Sequence, residues 1–248
     1  MEIALNGYDQ FAFAILNVAQ PIIKKQTDLL SDDEHKKLSQ HILFGTGPKI
    51  IRNSRSTLTA KQKATMDLFQ RYSEIDTSIE CLRDTPIYIS RYPYTATRVD
   101  KSRHLNQMIG HHFNEIYIFL ERLKRLKQEI DKHCIRTDDI QSSSNLNNIY
   151  KKAEKNLKSI SILRARHTHH YRYTDDDLDR FSTLNLISNH SEDRAYQYFA
   201  DNAYKHNRKK WKTIATNNVT SIEKLLNEVF SDFHKILFTK TGRLRFYN

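Results

Sequence analysis

Glycine and proline are both scarce, with 5 Gly and 4 Pro in 248 residues, against roughly 12 % of the two together in average proteins. A chain this poor in turn formers does not supply the frequent reversals of an all-β fold, and it has neither collagen-like nor Gly-rich linker character. Cysteine is almost missing too. Cys81 and Cys134 lie far apart and form no CxxC pair, which excludes a disulfide framework and a four-cysteine zinc site. Long apolar runs are lacking as well. The N-terminal run from Phe11 to Ala19 is broken by Asn17, and Glu2 stands where a signal peptide carries positive charge. No stretch approaches the ~20 apolar residues of a membrane-spanning helix. The expectation is a cytoplasmic protein with no membrane partner.

What the chain does have is positive charge and helical periodicity. Forty Lys and Arg against 29 Asp and Glu give a formal charge of +11, with 12 His besides. That balance favours anionic partners, RNA among them. Apolar residues make up 38 % of the chain, which is low, but the 10 % that are aromatic can still fill a core. The fold expected is all-α, a helical bundle, with an N-terminal helical region over 1–92 and the main bundle over 93–248.

Cap signals place the helices. A first helix is expected near Gln10 to Leu30, followed by a Ser31-Asp32-Asp33-Glu34 capping box and a short helix ending at the Gly45-Thr46-Gly47-Pro48 breaker. Thr59 to Gln62 repeats the box and opens a helix to about Arg83. Residues Asp84 to Thr97, with Pro86 and Pro93, read as an irregular connection with room for one short strand. From Asp100 to about His133, Leu105, Ile109, Phe113, Ile116, Leu120, Leu123 and Ile130 make the apolar stripe of a long helix. Its outward face reads as Arg122, Lys124, Arg125 and Lys127. Ile149, Ala153, Leu157, Ile160 and Leu163 mark a second long helix, expected to pair antiparallel with the first. Further starts are read at Thr174-Asp175-Asp176-Asp177 and Ser191-Glu192-Asp193. The last helix carries Phe199, Trp211, Ile222 and Phe233 toward Leu237, with a break expected near Thr216 to Thr220.

Between the second long helix and the acidic start lies the densest set of chemistry-bearing side chains. Residues 164 to 173 read RARHTHHYRY, with three Arg, three His and two Tyr in ten positions. Histidine exchanges protons near neutral pH. Arginine grips phosphate bidentately and stabilises developing charge. Tyrosine and arginine faces stack on unpaired bases. Such a set suits RNA cleavage without metal or other cofactor, because the 2′-hydroxyl is its own nucleophile. The Arg-to-His spacing alone is weak; Arg98 and His104 show it by chance across a helix start.

In its setting, LRARHTHHYRYTDDDLDRF resembles the Arg-polar-x3-His signature of the HEPN family of helical-bundle ribonucleases. VDKSRHLNQMIGHHFNEIYIFLERLKRL upstream is similar to the first core helix of a bacterial branch of that family. The resemblance covers about residues 93 to 190. It implies that Arg164 and His169 are catalytic, and that two protomers pair as a homodimer with both motifs in one cleft. It further implies cleavage leaving a 2′,3′-cyclic phosphate, in a toxin or antiphage setting with an antitoxin or regulatory protein as partner. Arg166, His167, His170, Tyr171, Arg172 and Tyr173 would contact the RNA. Where the family carries Asn, Asp or His after the arginine, this chain has Ala165, so that Arg166, His167 or His170 would supply the polar group.

Other readings fit the same residues. A basic, His-rich turn is often a solvated surface, and His167, His169 and His170 with Asp175 or Asp177 make a loose metal set. A non-catalytic nucleic-acid-binding or scaffold protein is the alternative function. His111 and His112 read as one face residue and one packing residue, and Arg208-Lys209-Lys210 as a solvated run or a phosphate contact.

Overall fold

The computed structural model describes residues 6–28, 30–34, 36, 58–93, 99–136, 144–157 and 175–245. Regular structure among these residues is helical: α1 (Gly7–Thr27), α2 (Ala60–Ser90), α3 (Lys101–Arg136), α4 (144–157), α5 (Asp176–His190) and α6 (Arg194–Leu237). One isolated antiparallel bridge joins Phe238 to Leu244, closed by a turn with Gly242 at φ 75. The fold is all-α. Among the described residues no helix is long and apolar enough to cross a membrane.

The caps fall close to where the sequence puts them. Ser31 and Glu34 bond reciprocally, as do Thr59 and Gln62. Asp100 Oδ1 accepts from Arg103 N, and Asp193 Oδ1 from Ala195 N. The acidic start is capped by Asp175, whose Oδ1 accepts from Leu178 N at 2.8 Å. These side chains satisfy donors that the first helical turn leaves open.

Three expectations need correction. The irregular connection does not begin at Asp84, because α2 runs through Pro86 to Ser90. Proline has no N–H to give the Leu82 carbonyl four residues back, and the Thr85 hydroxyl donates to that carbonyl instead, at 2.6 Å. Nor is α6 interrupted near Thr216 to Thr220. The Thr216 and Thr220 hydroxyls fold back onto carbonyls four residues earlier, and the helix continues for 44 residues, about 66 Å at 1.5 Å per residue. Arg122 is not part of an outward face. It reaches α2, where its guanidinium donates to Glu74 O and Ser78 Oγ. Lys124 and Arg125 do face solvent.

Helix α3 runs antiparallel to α2, in register so that Arg122 meets Glu74 and Ser78 while His112 meets Thr85. Helix α6 is the spine. Its C-terminal half joins α1, α2, α3 and α4 in one apolar cluster that includes Phe11, Leu68, Phe119, Leu157, Phe230 and Phe233. Its N-terminal half joins the ends of α2 and α3 and the first turns of α5 in a second, around Leu105, Phe113, Phe181 and Trp211. Helices α1 and α2 therefore share a core with α3, α4 and α6. Every position of the predicted α3 stripe is buried.

Between the two clusters sits a polar layer. Thr85 Oγ1 already donates to Leu82 O, so it accepts from His112 Nδ1, 3.2 Å away. That fixes the proton on Nδ1 and leaves Nε2 to accept from Asn218 Nδ2 at 3.2 Å. Three helices are thus tied by one relay running from α6 through α3 to the carbonyl that Pro86 leaves open.

Candidate functional site

Arg164, Arg166, His167, His169, His170, Tyr171, Arg172 and Tyr173 lie outside the described residues. The flanks of their segment are described: Leu157, buried on α4, and Asp175, the cap of α5. Immediately after Asp175 the chain enters a groove between the antiparallel α5 and α6.

Lys210 fixes the rim of this groove. Its Nζ donates to Asp175 Oδ2 at 2.9 Å and to Asp177 Oδ2 at 2.6 Å. Its hydrogen bonds to Asp177 and then Asp175 raise the lysine pKa, and the same bond to Lys210 holds the exposed Asp177 carboxyl below its ordinary value. Lys210 therefore stays charged and Asp177 ionised at neutral pH. His206 Nε2 lies 3.8 Å from Asp177 Oδ2 and pairs with it when protonated. Asn207, only 1 % exposed, donates from Nδ2 to Asp177 O and Ala203 O at 3.0 Å each, locking α5 onto α6. The groove encloses about 610 Å³. Leu184 and Phe199 line it on the apolar side, with Arg180, Asn202 and His206 on the polar side. An amphipathic occupant fits it: a flat apolar ring against Phe199 and an anion against Arg180 and His206.

A second cavity of about 440 Å³ opens between α1, α2 and α6. Its polar groups are spent on one another. Tyr8 Oη donates to Asp76 Oδ1 at 2.6 Å, and Arg83 Nε to Glu223 Oε1 at 2.8 Å. Burial, then the bond to Asp76, pushes the Tyr8 phenol far above its usual range, so it stays protonated.

The remaining candidates separate by environment. His111 is on the surface, whereas His112 is fully buried; burial, reinforced by neighbouring His111, depresses its pKa to about 4. These are the face residue and packing residue expected. His104 is buried with its ring edge-on to Tyr92, 5.5 Å between centroids, and burial lowers its pKa; Arg98 lies outside the described residues. The run Arg208-Lys209-Lys210 divides three ways. Arg208 lies over the Tyr204 ring at 5.4 Å, Lys210 binds the two aspartates, and Lys209 faces solvent. Asp175 and Asp177, named in the loose metal set, are the carboxylates held by Lys210. Among the described residues no group of three or more His, Cys, Asp or Glu is placed to hold a metal ion.

Sequence reasoning took Asp175 to Asp177 as a helix start, or as part of a loose metal set, and missed the groove. Phe199, expected among the apolar residues of its helix, is 54 % exposed and lines that groove instead. The available signal was the pairing of TDDD with the acid-free KHNRKKWK, which alone does not say which lysine meets which aspartate. Comparison of the chain with protein-family models, with curated proteins and with solved structures gives no match.

Proposed function

We propose that this protein is a metal-independent endoribonuclease acting on single-stranded RNA through Arg164 and His169. The observation that carries the reading is the RARHTHHYRY segment, set between the core helix α4 and the acid-capped α5 in an all-α chain of net charge +11. Arg164 holds the scissile phosphate and neutralises charge that builds on its oxygens. His169 exchanges the proton moving between the 2′-hydroxyl and the leaving 5′-oxygen. The 2′-oxygen bonds to phosphorus as the P–O5′ bond breaks, giving a 2′,3′-cyclic phosphate and a 5′-hydroxyl. Arg166, His167, His170, Tyr171, Arg172 and Tyr173 bind flanking nucleotides. By its HEPN resemblance the active form is a homodimer with both motifs in one cleft, restrained by a regulatory or antitoxin protein in a toxin or antiphage setting.

One residue favours a second reading. Ala165 stands where the family signature is polar, which suits a bundle that binds RNA without cutting it. The test is incubation of labelled single-stranded RNA with the purified chain in the presence of a chelator. Cleavage to cyclic-phosphate ends is expected, falling about 100-fold or more in Arg164→Ala and in His169→Ala. Equal cleavage by the double variant would overturn the assignment. Intact RNA retained in a salt-sensitive complex would establish the non-catalytic reading.

A further inference from the structure

The exposed face of α6 is rich in cations and free of acids over a long stretch. From Asn202 to Ile222 the chain contains no Asp or Glu, while it carries Lys205, Arg208, Lys209, Lys210 and Lys212. Helix geometry sorts these. Arg208 and Lys210 turn toward Tyr204 and the α5 aspartates. Tyr198, Asn202, Lys205, Lys209, Lys212 and Thr216 recur at steps of four and three, so they form one outward line, and all six are exposed. Lys205, Lys209 and Lys212 form no ion pair among the described residues, whereas Lys101, Lys127, Lys152 and Lys210 each meet a carboxylate. Asp201, the nearest acid along the helix, is turned aside onto Lys101 Nζ at 2.7 Å. Asp177, the acid at the edge of the face, is held by Lys210.

Tyr198 heads this line, and Phe199, at the adjoining edge of the α5–α6 groove, stands beside it. Tyr198 is 66 % and Phe199 54 % exposed, their ring centroids 5.9 Å apart at 66°. Two large rings thus stand side by side in solvent, at the end of a row of cations that make no ion pair among the described residues. A track of cations that follows a backbone, ending in aromatic rings on which bases stack, is the chemistry of single-strand recognition.

We infer that the outward face of α6 binds a single strand of nucleic acid, with bases on Tyr198 and Phe199 and phosphates along Lys205, Lys209 and Lys212. The inference rests on the nucleic-acid part of the reading above, and not on cleavage. An acidic protein surface would satisfy the lysines but leaves the two rings without a role. A duplex hides its base faces from them.

The experiment measures binding of a fluorescently labelled 20-nucleotide oligo-U RNA to the full chain, in the Arg164→Ala/His169→Ala background so that the probe survives. Lys205→Glu/Lys209→Glu/Lys212→Glu is expected to weaken binding at least tenfold. It should also flatten the dependence of log Kd on log salt by about 2, three contacts at ~0.7 each for a single strand. Tyr198→Ala/Phe199→Ala is expected to weaken binding by about tenfold at an unchanged salt slope. All five positions are exposed, so melting temperatures near that of the parent verify folding. Parent and variants binding alike would overturn the inference and leave the cleavage reading standing. Loss of binding in the variants, with no cleavage by the chain with Arg164 and His169 intact, would uphold the inference and remove the ribonuclease. A parent that binds no RNA, that prefers duplex, or that binds poly-glutamate as tightly with the rings indifferent, overturns the inference.

Discussion

The Thr85 hydroxyl stands 2.6 Å from the Leu82 carbonyl oxygen, the acceptor that Pro86 leaves open inside α2. A side chain does there what a backbone N–H does elsewhere in the helix, and the same oxygen accepts from His112. Substituting Thr85→Val keeps the shape but strands both partners in a fully buried position. Unfolding in urea should show a loss of about 2–4 kcal/mol, since each unsatisfied buried group costs roughly 1–3. Adding Pro86→Ala to that variant restores an N–H for Leu82 O and should recover about 1 kcal/mol. No recovery would mean that the proline is not the reason for the threonine.

His112 makes the relay sensitive to acid. Burial brings its folded pKa from 6.5 to about 4, so the unfolded chain takes up the proton first. Stability is therefore fully present above pH 6.5 and drains away as pH falls toward 4, where the penalty reaches about 3 kcal/mol at 1.36 kcal/mol per unit. Buried His104 adds a slope of the same sign. Denaturant unfolding between pH 7 and pH 4 should show a shallower loss for His112→Gln than for wild type; parallel curves would contradict the relay.

Gly7 lets α1 touch α6. A Cβ there would lie 2.2 Å from Asn227 O and 2.7 Å from Ser231 Cβ. Glycine to alanine in a helix ordinarily stabilises by up to about 1 kcal/mol, but here the helices must part. Gly7→Ala should destabilise by about 1–3 kcal/mol, a reversal of sign that thermal unfolding reads directly.

Phe230 and Phe199 lie on one helix with opposite fates. Phe230 is fully buried, with the rings of Tyr8, Phe11 and Phe233 around it at 4.8 to 5.7 Å. Phe230→Ala should cost about 3–5 kcal/mol, whereas Phe199→Ala should stay within about 0.5 kcal/mol of wild type. A large loss at Phe199 in calorimetry would mean that it packs and does not bind.

Much of the fold was legible before any coordinates. The α3 stripe is legible because an apolar residue at every third or fourth position has one way to leave water. The caps are legible because Ser, Thr and Asp bond to donors only three residues ahead. Pro86 misled for a related reason: its cost to the helix is local, but its compensation comes from Thr85, held by His112 and Asn218, 27 and 133 positions away. Arg122 misled likewise, since nothing in a basic heptad says that a neighbouring helix offers Ser78 and the Glu74 carbonyl. The motif around Arg164 and His169 is legible only as chemistry, whereas Arg180, Asn202 and His206 become neighbours in one groove only when α5 folds back on α6.

By itself the sequence determined that this chain is helical. Few glycines and prolines leave few places to turn, and the apolar period admits no other regular structure. It also determined that the surface is basic, because 40 cations outnumber 29 acids wherever they lie. Tertiary structure alone decided which of those cations stay open. Lys101, Lys152 and Lys210 are matched with acids 100, 76 and 35 or 33 positions away. Lys205, Lys209 and Lys212 are left facing water, because Coulomb attraction acts through space, and it is packing that sets which charges are near.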